Sequence, residues 1–296
     1  MSDLNKRSIS KHPCYNIEAH NYARMHVPVA PDCNILCNYC NRKYDCANEC
    51  RPGVTSQVLS PREALEKYKY VKNQLKNLTV LGIAGPGDAL ANFDKTKETI
   101  ERIKEYDPEV IFCLSTNGLM LPDYAEEIIN LGVEYVTITI NAIDPLIGAN
   151  IYRKINYKNK EYSGKEGAKI LIDNQLEGLK YLSDKGVFCK INTVFIKTIN
   201  DDHIEKLVIE VKNKGAFMTN IMPLIPVKGS FFEHMPIVSN KELYIVRENC
   251  KKYIKQMSHC RQCRADAIGK LSHDISKNFE HKCYTHMSDN ILTKIS

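Results

Sequence analysis

The sequence predicts an α/β protein built on a parallel sheet, folded either as a partial (βα)6 barrel or as an open doubly wound sheet. Two observations carry that prediction. Strand-like and helix-like segments alternate six times along the 296 residues, which is the pattern of βα units. The strand-like segments are also continuously apolar, as strands buried on both faces are. Size and composition agree: 43% hydrophobic and 26% charged residues exclude a wholly disordered chain. In either architecture, ligands belong at the C-terminal ends of the strands.

Residues 1–22 read as an extended polar arm, and residues 26–30 (HVPVA) as a short strand. Residues 31–53 show neither helical nor strand period, yet hold five cysteines. Long irregular stretches inside compact domains are usually functional. Ser60-Pro61-Arg62-Glu63 is a capping box with proline at the first helical position. Ala64, Leu65, Tyr68, Val71 and Leu75 then recur at helical spacing. Strands are expected at 79–84, 110–116, 135–140, 188–195 and 216–222. Helices are expected at 95–106, 123–131, 169–185, 201–214 and 241–257, three of them stopped by Gly132, Gly186 and Gly215. Residues 156–167, polar and rich in lysine, read as a surface loop. No internal repeat and no low-complexity tract is visible.

The net charge of +6 fits an anionic ligand but is too small to argue for nucleic acid. No apolar run approaches 18 residues, so no membrane span is expected. The N-terminus, MSDLNKRSISKHP, has no apolar signal core, and a cytoplasmic location is expected. Twelve cysteines in such a chain are poor candidates for disulfides, because the cytosol keeps thiols reduced. Scattered buried cysteines are the bland reading. Their clustering points to metal or iron–sulfur ligation.

The sharpest motif is Cys33-Asn-Ile-Leu-Cys37-Asn-Tyr-Cys40, a C-x3-C-x2-C run expected by chance about 0.02 times at this cysteine frequency. Three thiolates on one tight loop hold three irons of a cubane and leave the fourth iron open to a small bidentate ligand. Zinc sites instead pair a C-x2-C with a distant second pair. These residues resemble the radical S-adenosylmethionine superfamily, in which an aromatic residue, here Tyr39, precedes the last cysteine. The resemblance implies a partial (βα)6 TIM-type barrel and a [4Fe-4S] cluster chelated by S-adenosylmethionine. It also implies reductive cleavage to a 5′-deoxyadenosyl radical. Ala84-Gly85-Pro86-Gly87-Asp88 stands where the superfamily's methionine-binding turn stands, with Gly85 and Gly87 admitting the ligand and Asp88 facing its ammonium. Ser115, Asn117 and Asn192 are placed to touch the ligand, and Tyr39 to pack near the adenine.

Nine cysteines remain. His12-Pro13-Cys14, Arg24-Met25-His26, the run from Cys37 to Cys46, Asn48-Glu49, Arg51-Pro52-Gly53-Val54 and Cys260-x-x-Cys263-Arg-Ala-Asp-Ala-Ile-Gly269 resemble the NifB family of nitrogenase cofactor maturases. The resemblance implies fusion of two substrate [4Fe-4S] clusters into an [8Fe-9S-C] precursor of the iron–molybdenum cofactor, its carbide coming from a methyl of S-adenosylmethionine. Carried over, Cys33, Cys37 and Cys40 hold the radical cluster. His26, Cys46 and Cys113 hold one substrate cluster, and Cys14, Cys260 and Cys263 the other. Cys50 stands where the family has serine, and so either replaces or supplements Cys46 as a ligand. Glu49 is the expected base, with Arg51 and Arg264 facing anionic clusters and Asp266 orienting Arg264.

The domain reading is an arm at 1–22 carrying one ligand, a barrel at 23–258, and an extension at 259–296 carrying the C-x-x-C pair, both extensions lying over the barrel mouth. The resemblance implies a short form without the family's C-terminal carrier domain. Its partners would be iron–sulfur cluster and electron donor proteins, with a carrier or assembly scaffold as product acceptor. Two alternatives stand beside it. One is a radical maturase whose extra clusters only relay electrons. The other is a zinc module binding nucleic acid, which the βα series and the missing second zinc pair disfavour.

Overall fold

The computed structural model describes residues 9–46 and 54–280. In chain order the elements begin with β1 (Ala23–His26), β2 (Ile35–Cys37), α1 (Pro61–Gln74), β3 (Leu78–Ile83), α2 (Phe93–Tyr106), β4 (Ile111–Thr116), α3 (Leu121–Asn130) and β5 (Tyr135–Thr139). They continue with α4 (Pro145–Ile151), β6 (Tyr152–Tyr157), β7 (Lys160–Tyr162), α5 (Gly164–Asp184), β8 (Phe188–Phe195), α6 (Ile204–Asn213), β9 (Met218–Pro223), α7 (Asn240–Lys251), β10 (Ile268–Lys270) and β11 (His273–Asp274).

Strands β1, β3, β4, β5, β8 and β9 lie side by side in that order, each parallel to the next. The order follows the chain without reversal. A doubly wound sheet needs a switch point, and this one has none, so the sheet is a partial (βα)6 barrel. Between β9 and β1 the barrel is open.

The two faces of the sheet differ. Outward residues such as Leu81, Ile83, Leu114, Val136, Ile138 and Ile191 pack with Tyr68, Val71, Ile100, Ile128, Leu179 and Leu207 of the helices. Each such side chain contributes about 1.5–3 kcal/mol by burial, so the outer shell carries the fold. The inward face is thereby free for polar groups. It carries Arg24 and His26 of β1, Cys113 and Ser115 of β4, Thr137 of β5, Lys190 and Asn192 of β8, and Asn220 of β9.

Both ends of the described chain close the barrel. The arm seals the N-terminal end. The Tyr15 hydroxyl donates to the carbonyls of Val136 and Phe188 at 3.3 and 3.2 Å, and its ring packs among Val80, Ile111, Tyr135 and Met218. The segment after α7 runs beside β9, where Thr219 N–H donates to Lys255 O and Met257 N–H to Thr219 O. It then crosses the open side and joins β1 through β10. His259 bonds the arm at Pro13 O, 3.0 Å away. The C-terminal extension therefore does reach the mouth, at residues 264–267. The N-terminal arm does not; it closes the opposite end.

The Ser60 capping box forms as the sequence predicts: Ser60 N–H donates to Glu63 Oε2 at 2.8 Å, and Glu63 N–H to Ser60 Oγ. Three elements differ from the sequence reading. The first strand is 23–26, not 26–30, since Pro28 has no N–H for the ladder. Residues 156–167 are mostly hairpin, not loop: Lys158 and Asn159 turn with positive φ, and β6 pairs with β2. The last helix stops at Lys251, because Gln256 pairs alongside Thr219 instead. Among the described residues, no helix is long and apolar enough to cross a membrane.

Candidate functional site

Two cavities follow the barrel axis. The smaller, about 370 Å³, lies at the C-terminal ends of β3 and β4. Cys33, Cys37 and Cys40 line it together, with Tyr39, Cys46, Asp88 and Asn117. The loop that carries them is pinned on three sides. β2 pairs Ile35 with Ile155. Asn38 N–H donates to Ile151 O. Arg42 bonds back to Pro31 O. Burial pushes the Cys33 thiol up to about 12, with Asp88 adding to the rise. Binding iron there as thiolate releases that proton.

Gly87 admits the protein rather than a ligand. A Cβ on it would run into the Asp32 carbonyl. In its absence Gly87 N–H donates to Ala30 O at 2.6 Å and Asp88 N–H to Asp32 O at 2.8 Å, stitching the cysteine loop to the turn after β3. Gly85 lines neither cavity; its carbonyl accepts from Ala30 N–H.

Asp88 differs from expectation in a similar way. Its Oδ1 accepts from the N–H groups of Leu90 and Ala91, its Oδ2 from Asn117 N–H at 2.6 Å, and both from Thr116 Oγ1. A carboxylate has about four lone-pair sites, and here they are filled from within. Asp88 locks the turn after β3 to the turn after β4. Asn117 faces the pocket: its Nδ2 is 3.8 Å from Cys33 Sγ and 2.6 Å from Asn34 Oδ1. The Tyr39 hydroxyl accepts from Asn141 Nδ2 at 2.7 Å, which fixes its buried ring.

The larger cavity, about 630 Å³, is the barrel lumen. Cys14 from the arm, Cys113 from β4, Cys260 and Cys263 from the extension, and His26 from β1 all line it. Ser115 and Asn192 line it too. His26 lies flat over Gly82 of β3, where a Cβ would sit 2.8 Å from its Cδ2. His26 Nδ1 is 3.0 Å from the Arg264 carbonyl, so Nδ1 bears the proton and Nε2 keeps its lone pair. Burial, with Arg24 adding, lowers its pKa to about 4, so the ring is neutral near pH 7. A neutral imidazole oriented by a backbone carbonyl is the usual form of a metal-ligating histidine. Burial pushes the Cys14 thiol up to about 11.

Three lumen residues have no role assigned from the sequence, although His12 and Arg24 stand in the motifs His12-Pro13-Cys14 and Arg24-Met25-His26. Arg24 is 1% exposed. It donates to Gly269 O at 2.6 Å, Asp274 Oδ2 at 3.0 Å and Cys263 Sγ at 3.2 Å. His12 and Lys190 also line the lumen. The available signal is the period of two: Arg24/His26 and Lys190/Asn192 are polar alternations inside buried strands.

Some expected residues are elsewhere. Cys46 lines the triplet's cavity and not the lumen with His26 and Cys113. Its N–H donates to Pro86 O. Ala84 faces the lumen and Gly87 the smaller cavity, so Cys46 is held at the partition. The Arg264 guanidinium lines neither cavity. It is bidentate on Asp266 at 2.9 Å and donates to Val54 O, while Asp266 also accepts from Ser56. Arg264 serves the lumen through its carbonyl. Glu49, Cys50 and Arg51 lie outside the described residues. Among the described residues, no group of His, Cys, Asp or Glu converges on a single metal ion. A cubane asks for a different arrangement, since each thiolate binds its own iron.

Residues 27–211 match the radical SAM superfamily. The chain is similar to the FeMo cofactor biosynthesis protein NifB of Bradyrhizobium diazoefficiens, 52% identical over 92% of this chain and 55% of the relative. To the protein of the same name from Azotobacter vinelandii it is 47% identical over 93% of this chain and 55% of the relative. The chain thus spans about half the length of the curated relatives it matches. Among solved structures it is similar to the FeFe-hydrogenase maturase HydG of Carboxydothermus hydrogenoformans (TM-score 0.56, 14% identity, 86% of this chain and 56% of that one). Streptococcus suis SuiB bound to S-adenosylmethionine is also similar (TM-score 0.52, 14% identity, 86% and 54%). At such identities the two structures speak for the fold.

Proposed function

We propose, for a chain that belongs to the radical SAM superfamily and, over the part of NifB it spans, to the NifB family, that it is a maturase of FeMo cofactor biosynthesis. Its substrates are two [4Fe-4S] clusters, and its product is the carbide-centred [8Fe-9S-C] precursor. The observation that carries this reading is the lumen. Four cysteines and His26, drawn from both chain ends and two strands, line one cavity beside the separate cysteine-triplet pocket. A radical maturase whose extra clusters only relay electrons would carry such a set too, and the label in an eight-iron product is what separates the two.

Cys33, Cys37 and Cys40 are the residues to hold the radical cluster, and the donor set fits: three thiols from one loop on one pocket, with the Asn117 side-chain amide turned to a sulfur. When bound, the cluster and S-adenosylmethionine supply an electron, a methyl group and a radical for hydrogen abstraction. The chain's residues do the rest. The turn at 84–88, fastened by Asp88, forms the wall of the pocket. Tyr39 and Asn117 shape it.

Cys14, Cys260 and Cys263 hold one substrate cluster, with Arg24 fixing Cys263. His26 and Cys113 hold the other, and Cys46 completes that set from the partition. Three ligands per cluster hold it firmly yet allow it to leave, and the neutral His26 is the most readily released. Glu49 is the proposed base and Arg51 a charge facing the clusters. Cluster and electron donor proteins load the chain, and a carrier or scaffold takes the product.

The test is anaerobic reconstitution of the full chain with iron and sulfide, followed by S-adenosylmethionine labelled with ¹³C in its methyl group. Three clusters' worth of iron, and the label recovered in an eight-iron species, are expected. Iron that stops at one cluster in the wild-type chain would sink the reading.

A further inference from the structure

Among the described residues, thiols, imidazoles and cations line the lumen and no carboxylate does. Arg24 is engaged by Asp274, Cys263 and Gly269. Lys190, 7% exposed on the inward face of β8, is not engaged in that way. Its ammonium lies 5.1 Å from the centre of the Tyr15 ring. It has no hydrogen-bond acceptor and no acid among the described residues. A second group matches it. His12 is 1% exposed. Its Nδ1 accepts from Cys14 N–H at 3.2 Å, so Nε2 carries the proton, and that buried N–H has no partner among the described residues.

The buried His12 N–H costs free energy in this cavity unless an acceptor completes it, and the Lys190 ammonium on the same cavity favours an anion there. We propose that Lys190 and His12 are contact residues for the anionic iron–sulfur substrate held at Cys14, Cys260 and Cys263. The ammonium offsets its charge, and the His12 N–H donates to one of its sulfurs. The proposal rests on the reading that Cys14 holds a substrate cluster. Charge and hydrogen bonds to sulfur set a cluster's potential, so the pair sets that cluster's potential as well as its affinity.

The test uses the full chain reconstituted anaerobically with ferrous iron and sulfide, and redox titration followed by electron paramagnetic resonance. The signal lost in Cys14→Ala marks the substrate cluster; the signal lost in Cys33→Ala marks the radical cluster. In Lys190→Met and His12→Phe the first signal is expected to move to more negative potential and to lose at least half its amplitude. Lys190→Arg and His12→Gln restore it. The second signal stays unmoved throughout, which also reports an intact fold. If Lys190→Met loses both signals, Lys190→Arg decides: a potential that differs from wild type there overturns the proposal. So does a first signal unchanged in Lys190→Met and His12→Phe. If Cys14→Ala loses no signal, the substrate-cluster reading falls, and this proposal with it.

Discussion

The guanidinium of Arg24 donates to the sulfur of Cys263 at 3.2 Å, across 239 residues of chain. The same group holds Gly269 O and Asp274, so one buried side chain on β1 fixes both a cluster-ligand candidate and the extension that bears it. Arg24→Gln is expected to cost about 1–3 kcal/mol, since it strands the buried Gly269 carbonyl and loosens the more exposed Cys263 and Asp274. It should also lower iron retained at the Cys14 set while sparing the Cys33 set. Thermal unfolding and iron counting, the latter compared with and without Cys33→Ala, check both effects.

Gly82→Ala places a methyl 2.8 Å from the His26 ring. The ring must turn, breaking the bond to the Arg264 carbonyl. About 1–3 kcal/mol of stability is expected to go. Pulsed electron paramagnetic resonance should lose the nitrogen coupling to a substrate cluster. A retained nitrogen coupling would show that His26 is not that ligand.

Asp88→Asn sets an amide N–H₂ against donors that now all point at a carboxylate. The expected loss is about 1–3 kcal/mol. S-adenosylmethionine should bind at least tenfold more weakly by calorimetry, with the lumen clusters unaffected. Equal affinity would mean that the turn keeps its shape without the carboxylate.

Arg264→Ala removes a side chain that ties the extension to residues 54–56 but leaves the carbonyl that orients His26. A loss of about 1 kcal/mol and near-wild-type labelled product are expected. A tenfold drop in product with the nitrogen coupling intact would restore Arg264 to a role at the clusters. Asp266→Ala is the harsher change, because it strands Ser56 as well as Arg264.

Features that act through neighbours in the chain are legible in the sequence. The C-x3-C-x2-C run lies within eight residues, so its spacing alone puts three thiols on one loop. The capping box at Ser60 and the alternation of strand and helix are local in the same way, and the βα series survives in the fold almost element for element. The hairpin at 152–162 reads as loop because its strands are half exposed and its turn uses lysine and asparagine rather than glycine.

What the chain alone determined, then, was the βα series and the triplet: both rest on short-range periodicity and on thiols a few residues apart. Folding alone decided the rest. That Cys14, Cys113, Cys260 and His26 share one lumen while Cys46 stands at its partition, and that Arg24, His12 and Lys190 point inward, depends on register and on which strands become neighbours. Separation along the backbone carries no information about those distances, because they are set by the packing of the outer helices and by the closure of the barrel by its two ends.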